Sequence, residues 1–275
     1  MINILYKLLR KINQIKSLEF GDELKRQLLY TWFKVSILKK HDSKNSMVNI
    51  LDYKVKFLDY TLFRYLFNEI FLSKEYYFKS TKDNPVIIDC GSNIGISVLY
   101  FKTLYPNASI IAFEPGEETY TCLQENIKIN KLHSIEAHKV ALSNVEGTMD
   151  FYYDEDDVGS LMMSSVEERM PKQKRTVSAV LLSSYINSEI DFLKMDIEGA
   201  EMDVIEELDT KNKLVFIKRM VIEYHHHINS GIDNLSKMLK ILENNNFGYH
   251  IEAHLDSNLG VEQFQDIIIY AYKKN

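Results

Sequence analysis

From residue 86 onward, short apolar runs alternate with segments of helical length. Val86 to Cys90 is an apolar run rich in β-branched residues, and a helical segment near 94–105 follows it. Further strands are predicted near 109–113, 135–141, 191–196, 218–225, 247–254 and 264–272, and further helices near 117–130, 200–209 and 232–245. This alternation indicates a mostly parallel sheet that helices cover on both faces.

The last two predicted strands differ from the others because no helix fits between them. They should pair antiparallel at one edge of the sheet. The expected fold is an α/β, Rossmann-like three-layer sandwich with a mostly parallel seven-stranded sheet and an antiparallel C-terminal hairpin. Such a hairpin separates class I methyltransferases from the dinucleotide-binding dehydrogenases.

Residues 1–84 are interpreted as a helical extension, because Asn84-Pro85 favours a break before the first strand. Residues 1–40 hold nine Lys or Arg against three Asp or Glu, a balance of +6. Apolar residues at 4, 5, 8, 9, 12, 15 and 18 have the spacing of an amphipathic helix. Three partners are open for the apolar face of this helix. It is expected to pack on the protein's own core, to pack on a second subunit in a homodimer, or to contact an anionic membrane surface through residues 1–20. The aromatic-rich segment up to residue 84 predicts a second helix and an irregular connection.

The composition narrows the class of protein. With 275 residues, 45% hydrophobic and 26% charged, the chain fits one α/β domain (85–275) after the extension (1–84). A net charge of -6 provides no global positive field, which disfavours a nucleic-acid partner. Two distant cysteines suit a reducing compartment, and neither a membrane-spanning run nor a signal peptide is recognised. We expect a cytoplasmic location, free or peripheral at the inner membrane surface.

The first predicted strand ends in a loop with the features of a ligand site, DCGSNIG at 89–95. Gly91 allows a sharp turn close to a ligand, and Gly95 allows the next helix to pack tightly on the strand. The loop lacks the Gly-x-Gly-x-x-Gly pattern, and the carboxylate of Asp89 would repel a pyrophosphate. NAD is therefore disfavoured, and a cationic or amine-bearing ligand is favoured.

A second acid, Glu114, ends the second predicted strand in the sequence AFEP, 23 residues after Gly91. At that distance it can accept hydrogen bonds from the ribose hydroxyls of a nucleoside. Either Asp89 or Glu114 alone could simply cap a helix, but together they indicate a nucleoside site, and S-adenosylmethionine fits the sign of their charges. The expected cofactor-binding residues are Asp89, Gly91, Ser92, Asn93, Gly95, Glu114, Pro115 and Ala141.

A second group of polar residues lies at the ends of two later strands. In IDFLKMDIEGAE (190–201), Lys194 lies within a buried strand and needs a charged partner, either Asp196 or Glu198. On the next strand, Glu223 and His225 lie near the C-terminal end. The C-terminal ends of strands in an open α/β sheet line one crevice, so these residues should face the nucleoside loop.

Five segments together resemble the FkbM family of methyltransferases. They are EIFLSKEYYF, VIIDCGSNIGISVLYF, AFEP, DFLKMDIEGAE and VIEYHH, in the order and approximate spacing of that family, over about residues 60–272. The resemblance implies a class I Rossmann-like fold and methyl transfer from S-adenosylmethionine to a hydroxyl of a sugar, glycolipid, polysaccharide or polyketide. It also implies that Asp196, Glu198, Glu223 and His225 form the polar cluster on the acceptor side.

Methyl transfer to a hydroxyl needs a group that takes up the hydroxyl proton. His225 is the first candidate for this base and Asp196 is the second. Asp196, Glu223 and His225 could also hold a divalent ion, although a metal is not the expected cofactor. Lys194 is either a structural ion-pair residue or a catalytic one.

Several neighbouring features carry weaker predictions. In the run of three histidines at 225–227, adjacent side chains of an extended chain point in opposite directions, so one ion could meet at most positions 225 and 227. His226 is expected in an exposed loop. The acidic run 154–157 reads as a solvated loop, and Ser160 in a family-like turn is a candidate acceptor contact. The family's usual Thr-Leu-Asp step is replaced by Leu181-Leu182-Ser183. Acceptor specificity is expected to depend on residues 1–84 and 150–180.

Two other functions compete with this prediction. A nucleic-acid amino-methyltransferase usually carries Asn or Asp followed by Pro-Pro and an aromatic residue, whereas the prolines here stand alone at 85, 106, 115 and 171. A non-catalytic nucleoside-binding scaffold, recruited through its basic N-terminal helix, is the second alternative. The polar cluster around Asp196 favours the enzyme.

Overall fold

The computed structural model describes residues 2–37, 46–153, 173–226, 228, 234–253 and 265–274. Its N-terminal part consists of α1 (Ile2–Lys16), α2 (Asp22–Ile37), β1 (Ser46–Ile50), β2 (Tyr53–Phe57), α3 (Tyr60–Leu66) and a π-helical turn (Phe67–Ser73). The amphipathic helix and the aromatic-rich helix therefore lie in the predicted segments. The β1–β2 hairpin was not predicted, although its buried residues alternate with a period of two, as in Val48, Ile50, Val55 and Phe57.

The remaining elements follow the predicted alternation of strands and helices, with one exception. They are β3 (Val86–Cys90), α4 (Ile96–Leu104), β4 (Ser109–Phe113), α5 (Glu117–Ile129), β5 (Ile135–His138), β6 (Ala141–Leu142), β7 (Gly147–Tyr153), β8 (Gln173–Val180), β9 (Phe192–Met195), α6 (Glu201–Thr210), β10 (Arg219–His226), α7 (Leu235–Asn244), β11 (Phe247–Ala253) and β12 (Gln265–Lys273). The exception is the run of three consecutive strands after β5.

Seven strands form the central sheet in the order β11-β12-β10-β9-β3-β4-β5. Strands β10, β9, β3, β4 and β5 pair parallel, whereas β12 runs antiparallel to both β10 and β11. The predicted α/β fold, with a mostly parallel seven-stranded sheet and an antiparallel C-terminal hairpin, is confirmed.

The central strand β3 shows why the sheet is covered on both faces. Ile87 packs into an apolar cluster with residues of α4 and α5, and the next residue, Ile88, packs into a second cluster with residues of α6 and α7. Because successive side chains of a strand point to opposite faces, an uninterrupted apolar run requires helices on both sides. The three layers follow from this requirement.

A second, three-stranded sheet in the order β6-β8-β7 follows β5 and was not predicted. Strand β6 has only two residues, and β8 is exposed along most of its length, so neither gives a clear apolar pattern. Its position matters because Ala141, Met149 and Phe151 line the cavity described below.

Residues before the first central strand share a hydrophobic core with the sheet. The rings of Phe78 and Phe192 are stacked, with centroids 4.2 Å apart and an angle of 7° between planes. Within α1, Ile15 is buried and the Gln14 side chain donates a hydrogen bond to the Leu72 carbonyl. The C-terminal half of α1 therefore packs on the protein itself. None of the described helices combines the length and the apolar character that crossing a membrane requires.

The stacking of Phe78 on Phe192, and the packing of Trp32 against the same apolar cluster, predict that α2 and residues 46–83 unfold together with the central sheet. Phe78→Ala should lower the free energy of unfolding by about 3–5 kcal/mol, because a buried aromatic side chain is lost. Denaturant titration should show one transition by circular dichroism and by fluorescence of the single tryptophan, Trp32. Phe216→Ala, at an exposed position, is the control and should cost much less. Separate transitions for the two signals would contradict a shared core.

Candidate active site

The turn after β3 is shaped by two glycines with positive φ angles, Gly91 at +83° and Gly95 at +88°. A Cβ atom at Gly91 would lie 1.7 Å from the carbonyl oxygen of Asp196. A Cβ atom at Gly95 would lie 2.7 Å from the Leu123 side chain. Gly91 therefore lets the β3 turn meet the end of β9, and Gly95 lets α4 begin against α5.

A cavity opens beside this turn, at the C-terminal ends of β3, β4 and β9. Its apolar wall includes Leu66, Ile70, Ile96, Phe113, Val140, Ala141, Leu142, Met149 and Phe151. Its polar wall includes Tyr76, Ser92, Asn93, Ser97, Glu114, Lys194, Asp196 and Glu198. An apolar surface that contains a few convergent polar groups is typical of a cofactor site.

Glu114 lies in the wall of this cavity and is only 4% exposed. One of its oxygens accepts a hydrogen bond from the backbone N–H of Asn93 at 2.8 Å, and the other accepts from Gly116 N–H and from the Thr119 hydroxyl. Burial raises the pKa of Glu114, and these hydrogen bonds oppose the shift. The carboxylate is thus fixed in orientation at the cavity wall.

Asp89 lies beneath the turn rather than in the cavity wall. It is fully buried, accepts a hydrogen bond from the Ser97 hydroxyl at 2.6 Å, and lies 3.6 Å from the Lys194 ammonium. Lys194 also lies 3.3 Å from Asp196 and donates to the carbonyls of Cys90 and Gly91. Of the two predicted partners of Lys194, Asp196 forms the ion pair, while Asp89 was not predicted as a partner.

Lys194 keeps its proton in this setting. Burial opposes its charge, but Asp196 and Asp89 outweigh the burial and raise the pKa of Lys194 above its ordinary value. A permanently charged ammonium group between two carboxylates is an ion-pair anchor. This geometry favours the structural alternative for Lys194, although the side chain also lines the cavity.

Tyr76 reaches the same cluster from the connection that follows the π-helical turn. Its hydroxyl lies 3.3 Å from Oδ2 of Asp196 and 3.5 Å from Oε2 of Glu223. Burial and the charge of Asp196 raise the pKa of Tyr76, so the phenol keeps its proton and can donate. Ile70 and Tyr76 lie in the family-like segment EIFLSKEYYF, but neither they nor Leu66 were predicted as site residues, since each meets the site through a contact distant in sequence.

Two carboxyl groups beside Tyr76 are electrostatically crowded. Desolvation, followed by the charges of Glu69 and Asp196, raises the pKa of Glu75 to about 8. Desolvation and the charges of Asp196 and Glu75 raise the pKa of Glu223 well above its ordinary value. Near neutral pH this crowding favours protonated carboxyl groups next to the Asp196 carboxylate.

His225 is only 3% exposed and has a carboxylate at each ring nitrogen. Its Nδ1 lies 2.8 Å from Glu201, and its Nε2 lies 3.1 Å from Glu198. Burial opposes the charged ring, but Glu201 and Glu198 outweigh it and raise the pKa of His225 well above its ordinary value. A ring that holds both protons has no lone pair with which to take a proton. The geometry therefore favours Asp196 over His225 as the base.

The remaining predicted residues are placed as follows. Ser92, Asn93, Pro115, Ala141 and Glu198 line the cavity, whereas Gly95 packs behind it. His226 belongs to β10 and is partly buried, so its predicted position in an exposed loop was wrong. Leu182 and Ser183 are buried in a 3₁₀ turn outside the cavity lining. The acidic run 154–157 and Ser160 lie outside the described residues.

Two overlapping groups of side chains have the spacing of metal ligands within the described ranges. They are Asp196 with Glu198 and His225, and Glu223 with His225 and Asp266. The predicted set of Asp196, Glu223 and His225 draws on both groups. A metal would have to replace a proton on a ring nitrogen of His225 and compete with Lys194 for the Asp196 carboxylate.

Comparisons with known proteins identify the family. The family model of the Methyltransferase FkbM domain matches residues 89–251, which is more than half of the chain. "Methyltransferase 1" of Beauveria bassiana is 31% identical over 171 residues, which cover 54% of this chain and 68% of that protein. "2-O-methyltransferase NoeI" of Sinorhizobium fredii is 28% identical, over 49% of this chain and 63% of that protein. The solved "Methyltransferase FkbM" of Methylobacillus flagellatus KT has a TM-score of 0.46 and 15% identity, over 92% of this chain and 60% of that one.

The chain is a methyltransferase with the α/β fold of the class that uses S-adenosylmethionine. It belongs to the FkbM methyltransferase family, as the resemblance of its motifs indicated, and S-adenosylmethionine is its cofactor.

We expect Glu114→Gln to weaken binding of S-adenosylmethionine about tenfold or more. The amide replaces one acceptor oxygen with a donor and removes a charged acceptor from the cavity wall. Isothermal titration calorimetry measures the dissociation constant, with Glu118→Gln as the control, because Glu118 is half-exposed and pairs with Arg175 outside the cavity lining. Equal affinities of the wild type and Glu114→Gln would contradict a contact with the cofactor.

We also expect methyl transfer to survive removal of divalent metal. Lys194 already supplies a positive charge to Asp196, and both ring nitrogens of His225 are engaged by carboxylates. The measurement compares turnover with and without EDTA after dialysis. Loss of turnover with EDTA that added Mg²⁺ or Mn²⁺ restores would show that the two metal-ligand groups are used.

Proposed function

We propose that this protein is an O-methyltransferase that transfers the methyl group of S-adenosylmethionine to a hydroxyl of a sugar, glycolipid, polysaccharide or related natural product, with Asp196 as the general base. One observation carries the proposal: Asp196 presents a carboxylate in the cavity wall, with Oδ2 held at hydrogen-bond or ion-pair distance and Oδ1 in only a long ion-pair contact with His225 among the described residues. Oδ2 is bound by Lys194 and Tyr76. Oδ1 lies 4.0 Å from His225, beyond hydrogen-bond distance.

The cavity suits the cofactor. The apolar side chains Phe113, Val140 and Leu142 offer a surface for a purine ring, and Glu114 is fixed where it can accept a ribose hydroxyl. Gly91 lines the cavity, and the absence of a Cβ atom there lets the β3 turn meet the end of β9. When bound, S-adenosylmethionine supplies an electrophilic methyl group on a positively charged sulfur.

The protein's own residues take up the proton of the acceptor and orient the reacting groups. An alcohol is a weak nucleophile until its proton is taken up, and Oδ1 of Asp196 is the acceptor for that proton. Lys194 and Tyr76 hold the other oxygen, which fixes the direction in which Oδ1 points. Much of the rate enhancement would come from holding the hydroxyl oxygen in line with the transferred methyl group.

The acceptor class rests on similarity and chemistry. "2-O-methyltransferase NoeI" is named for transfer to an oxygen, and its 28% identity supports a hydroxyl acceptor here. A carboxylate base matches a hydroxyl acceptor because the proton must leave during transfer. We infer that nucleic acid is not the acceptor, because the net charge of -6 opposes binding of a phosphate backbone.

A non-catalytic scaffold would not need a restrained carboxylate in its cavity wall. The ion pairs and hydrogen bonds that restrain Asp196 support an enzyme instead. Methylation of a glycan or glycolipid panel with isotope-labelled S-adenosylmethionine separates the alternatives. Cofactor binding without transfer to any hydroxyl in a broad panel would favour the scaffold.

Asp196→Asn should reduce turnover about 10²–10⁴-fold, because an amide oxygen accepts a proton far less readily than a carboxylate. Binding of S-adenosylmethionine should remain within a fewfold of the wild type, since Asn preserves the shape of the side chain. The measurements are product formation with a methylated member of the panel and calorimetry with the cofactor. Asp203→Asn, at an exposed position on α6, is the control. Turnover of Asp196→Asn close to that of the wild type would exclude Asp196 as the base.

A further inference from the structure

The loop that joins β9 to α6 carries Asp196 and Glu198 into the cavity wall, and its backbone is in an unusual conformation. Glu198 has a φ of +57° and Gly199 has a φ of +112°. A positive φ is unfavourable for a residue with a side chain, so the surrounding contacts must hold Glu198 in that state. Ile197, Glu198 and Ala200 also line the cavity, which makes the exact path of this loop part of the site.

Glu201, the first residue of α6, supplies the main restraint on this loop. It is only 2% exposed. Its Oε1 accepts from the backbone N–H groups of Ile197 and Gly199, both at 3.1 Å, and Oε2 accepts from Gly199 N–H at 3.2 Å. One buried carboxylate thus satisfies two backbone donors on either side of Glu198.

His225 extends this restraint from the loop to the sheet. Glu201 Oε1 lies 2.8 Å from Nδ1 of His225, and Nε2 of the same ring lies 3.1 Å from Glu198. The imidazole therefore bridges the side chain that holds the loop and the side chain at the tip of the loop. Since His225 lies on β10, the loop is tied to the neighbouring strand at two points.

We propose that Glu201 and His225 form a clip that fixes the 196–200 loop in the wall of the cofactor cavity, with Glu201 as a positioning residue for methyl transfer. The catalytic consequence rests on the proposed role of Asp196. Glu201 acts through the loop, because it does not line the cavity itself. His225 acts in the same way rather than by taking a proton.

The test compares Glu201→Gln with Glu207→Gln. Glu207 is a matched control because it lies on the same helix, is 5% exposed, and accepts a backbone hydrogen bond from Ser183, outside the cavity lining. In Glu201→Gln the amide group turns a donor toward Gly199 N–H, and His225 loses a charged partner. A purely structural loss of stability should be similar in the two variants.

Amide hydrogen exchange of the purified protein is the primary measurement, and it needs no acceptor. The amides of Ile197 and Gly199 should exchange about tenfold faster or more in Glu201→Gln, and at the wild-type rate in Glu207→Gln. The cofactor should bind more weakly only to Glu201→Gln. Unchanged exchange at Ile197 and Gly199 in Glu201→Gln would overturn the proposal.

A second comparison tests whether Glu201 and His225 act as one unit. His225→Gln should also accelerate exchange at Gly199, and the double variant should exceed the larger single effect by little, because both changes open the same clip. Effects that multiply would show independent roles and would overturn the clip.

With a methylated panel member, Glu201→Gln should lower kcat on the order of 10²-fold, as a small displacement of a reacting group does. Glu207→Gln should retain kcat within about twofold. Retained turnover in Asp196→Asn, with accelerated exchange in Glu201→Gln, would refute the base and keep the clip. Retained turnover in Glu201→Gln would refute the positioning role even if Asp196→Asn were inactive.

Discussion

The buried ammonium group of Lys194 is the interaction on which the active-site end of the sheet depends. It lies between the carboxylates of Asp89 on β3 and Asp196 after β9, and it donates to the carbonyls of Cys90 and Gly91. Without that charge, the fully buried Asp89 carboxylate and the partly buried Asp196 carboxylate would lose the positive charge between them, at a large electrostatic cost. Gly91 is part of the same arrangement, because a side chain at that position would separate the two strand ends.

The sequence was informative where local periodicity and strand ends determine the structure. The alternation of apolar runs with helical segments from residue 86 onward was enough to predict a parallel sheet, and Asp89 and Glu114 at two strand ends were the basis for predicting a nucleoside site. The role of His225, in contrast, could not be predicted from its local sequence. Whether a histidine is a base or a protonated bridge depends on the groups at both ring nitrogens, and these come from another segment, at Glu198 and Glu201. The base preference could not be resolved from one strand.

The contribution of the first 84 residues was hidden for a related reason. Tyr76 contacts Asp196 across 120 positions of sequence and Glu223 across 147. The motif EIFLSKEYYF contains Tyr76, but its local sequence does not indicate those contacts. The aromatic residues were correctly interpreted as core, and Phe78 shows this by stacking on Phe192. Leu66 and Ile70 of the same segment also line the cavity. Their place in the cavity wall depends on how the segment packs against the sheet, which the local sequence does not show.

The charge distribution explains how one site can favour a cationic methyl donor without the Asp89 carboxylate facing it. Lys194 compensates Asp89, and His225 is held by Glu198 and Glu201, so these charges are largely satisfied within the protein. Burial and then the neighbouring carboxylates raise the pKa of Glu75 and of Glu223, so further negative charge around Asp196 is unfavourable. A positively charged ligand lowers that electrostatic cost, whereas the neutral thioether left after methyl transfer does not. The same crowding of carboxyl groups would therefore favour binding of the cationic donor before transfer and release of the neutral thioether afterwards. Proton uptake by Asp196 offsets the loss of the positive charge.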